Sequence, residues 1–367
     1  MKGLYIHIPF CAKKCEYCDF VSDSGIEGKI DEYLDALSAE ASLYRGTRID
    51  TVFIGGGTPS ILNAVQIKRL CGIVRDNFDI SSCVEWTAES NPGTVTDDKI
   101  YAMLDGGINR ISVGVQSFND KELQAVGRIH NAETAYNTVL SLAKNGFDNI
   151  SIDLMESLPY QTPETFAESL RIASELPLAH ISVYSLIIED GTPIKRKYDE
   201  GVYSEPDEDT DRELYSYTKK FLESKGFYRY EISNYAKTGY ESKHNMLYWT
   251  CGEYIGLGVA AHSYIDGERY SNTTDINRYI SGSFADGERE RLTKNDMMGE
   301  FMMLGLRMAR GVSCDEFLKR FGCGIEKIFG GSIKKHTAAG LLEYDGRVCR
   351  LTERGFDLAN TVMCDFI

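Results

Sequence analysis

Two hydrophobic periods alternate along the first two thirds of the chain. Runs rich in β-branched and other apolar residues occupy positions 3–8, 51–54, 84–89, 110–116, 149–155 and 180–188, with amphipathic stretches between them. Between the first two runs, Ile30, Tyr33, Leu34, Leu37, Ala41 and Tyr44 recur at three-to-four-residue steps, as one buried helical face requires. Gly146 marks the end of a second such helix, and Thr162-Pro163-Glu164 opens a third, with threonine as N-cap and proline at the first helical position. This alternation predicts an α/β protein built on a parallel sheet. Six strand–helix modules favour a partial or complete β/α barrel over a doubly wound sheet, and both put ligands at strand C-terminal ends. In the run 110–116, Ile111, Val113 and Val115 share one face while Ser112, Gly114 and Gln116 share the other. Ile150, Ile152 and Leu154 against Ser151, Asp153 and Met155 repeat that pattern, which suits a barrel wall with a polar or tight interior.

The regular modules stop near residue 225, so a first domain is expected over 1–225. An aromatic-rich connecting region is expected over 226–296, containing His244-Asn-Met-Leu-Tyr-Trp249. From 297 to 367, helical runs precede an Asp345-Gly346 turn between short apolar runs, which predicts a hairpin and a small winged-helix-like domain. That segment carries ten Lys/Arg and nine Asp/Glu, too balanced for a phosphate-tracking surface, so it reads as a structural cap. The acidic run Glu205, Asp207, Glu208, Asp209 and Asp211 reads as a solvated helix N-terminus.

Composition narrows the function classes. Across 367 residues, 43% are hydrophobic and 26% charged, the usage of a folded globular protein. A net charge of −15 disfavours general affinity for nucleic acid or anionic membrane. The longest uncharged stretch contains three consecutive glycines and a proline, which excludes membrane insertion there, and the N-terminus lacks a signal-peptide pattern. A cytoplasmic protein is expected, in which ten cysteines serve as free, metal-bound or catalytic thiols.

Their spacing carries the chemistry. Cys11-Ala-Lys-Lys-Cys15-Glu-Tyr-Cys18 follows the first strand directly. Random placement of the cysteines predicts roughly 0.007 occurrences of this spacing. One reading is a zinc site completed by His7 as Cys3His. The other is an iron–sulfur cluster, which normally takes four cysteines, so three leave one iron open. Ile54-Gly55-Gly56-Gly57-Thr58-Pro59 lets backbone approach a small ligand closely after the second strand.

The CxxxCxxC loop resembles that of the radical S-adenosylmethionine (SAM) superfamily, which implies a partial (β/α)6 barrel. It further implies a 4Fe-4S cluster on Cys11, Cys15 and Cys18, with SAM chelating the fourth iron and Tyr17 beside its adenine. Further matches in order are GGGTP, Glu89 in ESNPGT, Gln116 in GVQSF, Arg128 in GRIH and Asp153 in DLMESLP. The set resembles the anaerobic coproporphyrinogen-oxidase family and its HemW-type haem-chaperone branch. That resemblance implies SAM contacts from Tyr5, Gly56, Gly57, Thr58, Glu89, Gln116, Arg128 and Asp153. It also makes His244 a candidate haem ligand, with Tyr248 and Trp249 as flat apolar contacts. Phe20 stands where the decarboxylating branch has a fourth cysteine, and strand 1 begins too early for that branch's N-terminal extension. Both features favour a chaperone that binds haem and passes it to an acceptor protein. The alternative is a radical SAM enzyme decarboxylating coproporphyrinogen III to protoporphyrinogen IX, which needs an electron donor. Lys13, Lys14, Lys195, Arg196 and Lys197 are candidate partners for haem propionates. Two departures from the family pattern are Glu156-Ser157, where a residue plus glycine is usual, and Val259-Ala260-Ala261-His262 in a glycine-rich segment.

Overall fold

The computed structural model describes residues 1–204, 207–285 and 289–367. Its frame is six parallel strands, β1 (Lys2–Ile8), β2 (Thr51–Gly56), β3 (Glu85–Ser90), β4 (Arg110–Gln116), β5 (Ile150–Glu156) and β6 (His180–Ser185), each paired with the next. The crossovers carry helices α1 (Ile30–Ser42), α2 (Ala64–Asn77), α3 (Asp97–Asp105), α4 (Asp120–Ala125), α5 (Ala132–Lys144) and α6 (Pro163–Glu175). The sheet does not close, which makes it a partial barrel. The two-faced pattern of the strands holds. Ile111, Val113, Val115, Ile150, Ile152 and Leu154 are fully buried in the main hydrophobic core, while Ser112, Gly114, Gln116 and Asp153 line a cavity.

Helix α1 buries Ile30, Tyr33, Leu34, Leu37 and Ala41. Glu40 is buried with them, because its carboxylate accepts from the Gly258 N–H, the Asn272 amide and the Tyr279 hydroxyl. Tyr44 falls beyond the helix, with its hydroxyl 3.2 Å from that of Tyr270. Thr162 caps α6 as expected, and Gly146 takes φ +113° just past α5.

The region 226–296 departs from the expected connector, since its strands extend the barrel sheet. Helices α7 (Pro193–Asp199) and α8 (Glu208–Ser224) lead to β7 (Tyr228–Glu231) and β8 (Asn234–Ala236), a hairpin added antiparallel to β6. After α9 (Lys243–Trp249), β9 (Glu253–Leu257) pairs parallel with β1 on the opposite edge. Strands β10 (His262–Ile265), β11 (Glu268–Ser271) and β12 (Glu290–Arg291) continue antiparallel, giving twelve strands in all among the described residues.

The C-terminal segment contains α10 (Lys294–Gly305), α11 (Cys314–Phe321) and α12 (Ile325–Ala338) with a three-stranded sheet. Its strands are β13 (Val312–Ser313), β14 (Leu342–Tyr344) and β15 (Val348–Leu351), and a second apolar core holds Met302, Phe317 and Val362. This is the winged-helix-like arrangement expected. The Asp345 carboxylate accepts from the Arg347 and Val348 N–H groups at 2.8 Å and so closes the hairpin turn. Within the acidic run, Asp207 caps α8 by accepting from the Thr210 N–H. Glu205 lies outside the described residues. Asp211 is not simply solvated, because it accepts from the hydroxyls of Ser157 and Ser185 at 2.5 and 3.2 Å. Among the described residues no helix is long and apolar enough to cross a membrane.

Candidate functional site

The cysteine loop leaves the C-terminal end of β1 and is closed at its base. The Cys11 N–H donates to the Asp23 carbonyl and the Asp23 N–H to the Pro9 carbonyl, both at 2.9 Å. Its far side is pinned by the Glu16 N–H on the Val126 carbonyl and by the Ile194 N–H on the Glu16 carbonyl. All three thiols are free and line one cavity of about 290 Å³ at the strand C-terminal ends. Burial and the neighbouring Cys15 and Cys11 raise the Cys18 thiol.

The Gly-rich turn after β2 forms the adjoining wall. The Gly57 N–H donates to the Ile8 carbonyl and the Thr58 N–H to the Phe10 carbonyl, both at 2.8 Å. A Cβ at Gly57 would lie 2.9 Å from Cys11 Sγ, so any larger residue would push this wall off the thiol. A polar chain then runs across the chamber. Arg128 Nη1 donates to Cys15 Sγ at 3.3 Å and Nη2 to Asn91 Oδ1 at 2.9 Å, while the Asn91 amide donates to Thr58 Oγ1 at 2.9 Å. Arg128 also donates to the Gly114 carbonyl. A register shift between Gly114 and Gln116, with Gln116 at φ +68°, turns that side chain into the cavity, where Tyr184 donates to it at 3.3 Å.

The same cavity is lined by two buried carboxyls. Glu89 accepts from the Gly56 N–H at 3.1 Å, and burial plus the nearby Asp153 push its pKa up to about 8. Burial likewise raises Asp153, against hydrogen bonds from Ser182 and Ser112. A chamber lined by a guanidinium and by under-compensated carboxyls suits a zwitterionic ligand carrying an extra positive charge. SAM has that charge distribution. Cys11, Cys15 and Cys18 would hold the cluster, and Gly56, Gly57, Thr58, Glu89, Gln116, Arg128 and Asp153 surround the adjoining space with Tyr17. When bound, a 4Fe-4S cluster of this type supplies electrons and one open iron position.

Tyr5 departs from expectation. It does not line the cavity, and its hydroxyl lies 3.0 Å from His7 Nδ1 in the layer beneath. His7 is not a metal ligand either, since its other nitrogen faces the Val21 carbonyl at 2.8 Å. With both ring nitrogens of His7 engaged by Tyr5 and Val21, the Cys3His zinc reading lacks its fourth ligand here. Asn91 and Tyr184 belong to the chamber and were not singled out from sequence. Asn91 sits inside the quoted ESNPGT motif, but nothing in the sequence shows that it bridges Arg128 and Thr58.

His244 lies at the opposite end of the barrel, against the starts of β2 and β3. Its Nδ1 is 3.0 Å from Thr51 Oγ1, its Nε2 is 2.9 Å from the Tyr248 hydroxyl, and its backbone N–H donates to Glu85. The ring is fully buried against Phe53, and burial together with Arg110 pushes its pKa down to about 3. With both nitrogens engaged and no exposed edge, this histidine is a structural pin and is not available to a haem iron in this arrangement. Tyr248 points inward with it, and Trp249 packs under the Arg307 guanidinium. Of the cations considered for propionates, Lys197 pairs with Glu16 and Lys195 with Asp199, while Lys14 donates to the Phe20 carbonyl.

Both departures from the family pattern fall at left-handed backbone, Ser157 at φ +61° and Ala260 at φ +56°. Ser157 is compensated by its hydrogen bond to Asp211, whereas Ala260 has no side-chain polar group with which to recover the cost.

Residues 5–173 match the radical SAM superfamily and residues 292–358 match the HemN C-terminal domain. The heme chaperone HemW of Lactococcus lactis is 38% identical, covering 99% of this chain and 96% of its own. The heme chaperone HemW of Escherichia coli is 33% identical, covering 98% and 97%. The solved structure of Escherichia coli coproporphyrinogen III oxidase, described as a radical SAM enzyme, superposes with a TM-score of 0.87 at 25% identity, covering 100% of this chain and 89% of that one. With this chamber and these matches along nearly its whole length, the chain belongs to the HemW family of the radical SAM superfamily.

Proposed function

We propose that this protein is a haem chaperone: it holds a SAM-chelated 4Fe-4S cluster in the upper chamber, binds one haem and passes it to an acceptor protein. The observation that carries the proposal is the near full-length similarity to several proteins named heme chaperone HemW, at 30–38% identity. The thiol and carboxyl chamber supports the cofactor half of the reading. Phe20, exposed beside the loop where the oxidase branch carries a further cysteine, supports the chaperone over the decarboxylase.

The test is haem titration of the anaerobically reconstituted protein, followed by transfer to an apo haem protein separable by size. Saturable binding of one haem and its appearance on the acceptor are expected. Conversion of coproporphyrinogen III with matching consumption of SAM, and no haem binding, would replace the chaperone reading with the oxidase.

A further inference from the structure

A second, larger cavity of about 720 Å³ opens at the opposite end of the barrel, within the range of cofactor sites, about 300–1,000 Å³. Val84, Tyr228, Tyr230, Lys243, Met246 and Arg310 line it. Val84 and Tyr228 are 53% and 56% exposed, so apolar surface lies open on two of its sides. Tyr230 forms a fixed wall, its hydroxyl lying 2.9 Å from His180 Nε2 and accepting from the Ser242 N–H at 3.2 Å.

The charge is opposite to that of the chain as a whole. Among the described residues the side chains of Lys243 and Arg310 have no carboxylate partner, and Arg229 is held by Glu353. The one acid in the described lining, Glu241, accepts from the Gly239 N–H at 3.4 Å. Two uncommitted cations beside an aromatic and thioether surface fit a flat, apolar ligand bearing two carboxylates.

Helix α9 connects this cavity to the HNxxYW segment. The face that carries His244 and Tyr248 is turned into the barrel, while Lys243 and Met246 belong to the cavity wall. The upper chamber, at about 290 Å³, is already matched to cluster and SAM. We propose that this lower cleft seats the haem, with the tetrapyrrole against Tyr228, Val84 and Met246 and the propionates on Lys243 and Arg310. The inference rests on the haem-chaperone reading and gives that reading a site distinct from His244.

The test is Soret titration of the full, cluster-reconstituted protein and of Lys243→Glu, Arg310→Glu and Met246→Trp. Each charge reversal is expected to weaken haem binding about tenfold, and the tryptophan to block it sterically. Haem dimethyl ester, which lacks the carboxylates, should bind wild type and the two charge variants alike. Arg310 is exposed, so its variant tests the site without disturbing the core. Failure of the wild type to bind haem overturns the chaperone reading itself. Haem binding by wild type with unchanged affinity in all three variants overturns the cleft alone, as does a self-association that these variants abolish while haem binding persists.

Discussion

Replacing His244 separates a structural pin from an iron ligand, provided stability and haem affinity are measured on the same samples. In His244→Ala, the packing of the ring against Phe53 and Tyr248 is lost, at a cost of about 2–3 kcal/mol by comparison with other large-to-small core changes. Thr51 Oγ1 and the Tyr248 hydroxyl lose their imidazole partners, adding about 1–2 kcal/mol. A total near 4 kcal/mol is a large share of the ~5–15 kcal/mol that holds an ordinary domain together, so lost haem binding in this variant follows from loosened structure. His244→Gln retains a polar bridge and should fall between the two. It also makes a pH test. The folded-state pKa of His244 is about 3 against an ordinary 6.5, so its contribution is full above pH 6.5 and is lost progressively as pH falls toward 3. Glutamine does not titrate, so its deficit relative to wild type should shrink by about 2 kcal/mol between pH 7.5 and pH 5. Urea unfolding followed by circular dichroism gives these values, and a Soret titration at pH 7.5 gives affinity. A His244→Ala protein as stable as wild type that no longer binds haem would refute the reasoning and return the ring to the iron.

Alanine at Cys11, Cys15 or Cys18 should each abolish the cluster's visible absorbance and any SAM-dependent change in its EPR spectrum after anaerobic reconstitution, and a variant that retains both would remove that thiol from the site. Glu89→Gln should bind SAM at least about tenfold more weakly yet be the more stable protein in alkali. A carboxyl whose folded pKa is raised from 4.5 to about 8 destabilises the ligand-free fold increasingly as pH rises through that window. The glutamine variant should therefore exceed wild type by roughly 4 kcal/mol at pH 8 and come close to it near pH 4.5, and equal urea midpoints at pH 8 would contradict the raised carboxyl. Ala260→Gly should stabilise by about 0.5–1 kcal/mol, because glycine adopts the left-handed backbone there without the Cβ penalty; a lower denaturant midpoint would show that the methyl contributes more than the strain costs.

What could be read without coordinates was what local spacing encodes. The alternation at 110–116 and 150–156 assigned Ser112, Gly114, Gln116 and Asp153 to the interior because a strand's period is two residues. The cysteine loop declared itself because three thiols within eight residues leave little room for accident. Non-local relations were not legible. Nothing in residues 253–257 announces that they pair parallel with β1, and the 226–296 region therefore read as a connector when its strands complete both edges of the sheet. His244 shows the same limit. A seven-residue helix presents two faces, and whether the histidine or its neighbours Lys243 and Met246 face solvent depends on where Thr51 and Glu85 stand, 193 and 159 residues earlier. The resemblance placed Tyr5 among the SAM contacts, but its depth along β1 leaves it one layer short of the cavity.

Tyr5, Phe53 and His244 stack in sequence inside the barrel, with ring centroids 6.3 and 5.3 Å apart. This column divides strands about 20 Å long into two compartments with separate entrances. Substitutions around the lower opening can therefore alter cargo preference without retuning the redox chemistry above. The fold thereby has a second pole on which selection can act independently.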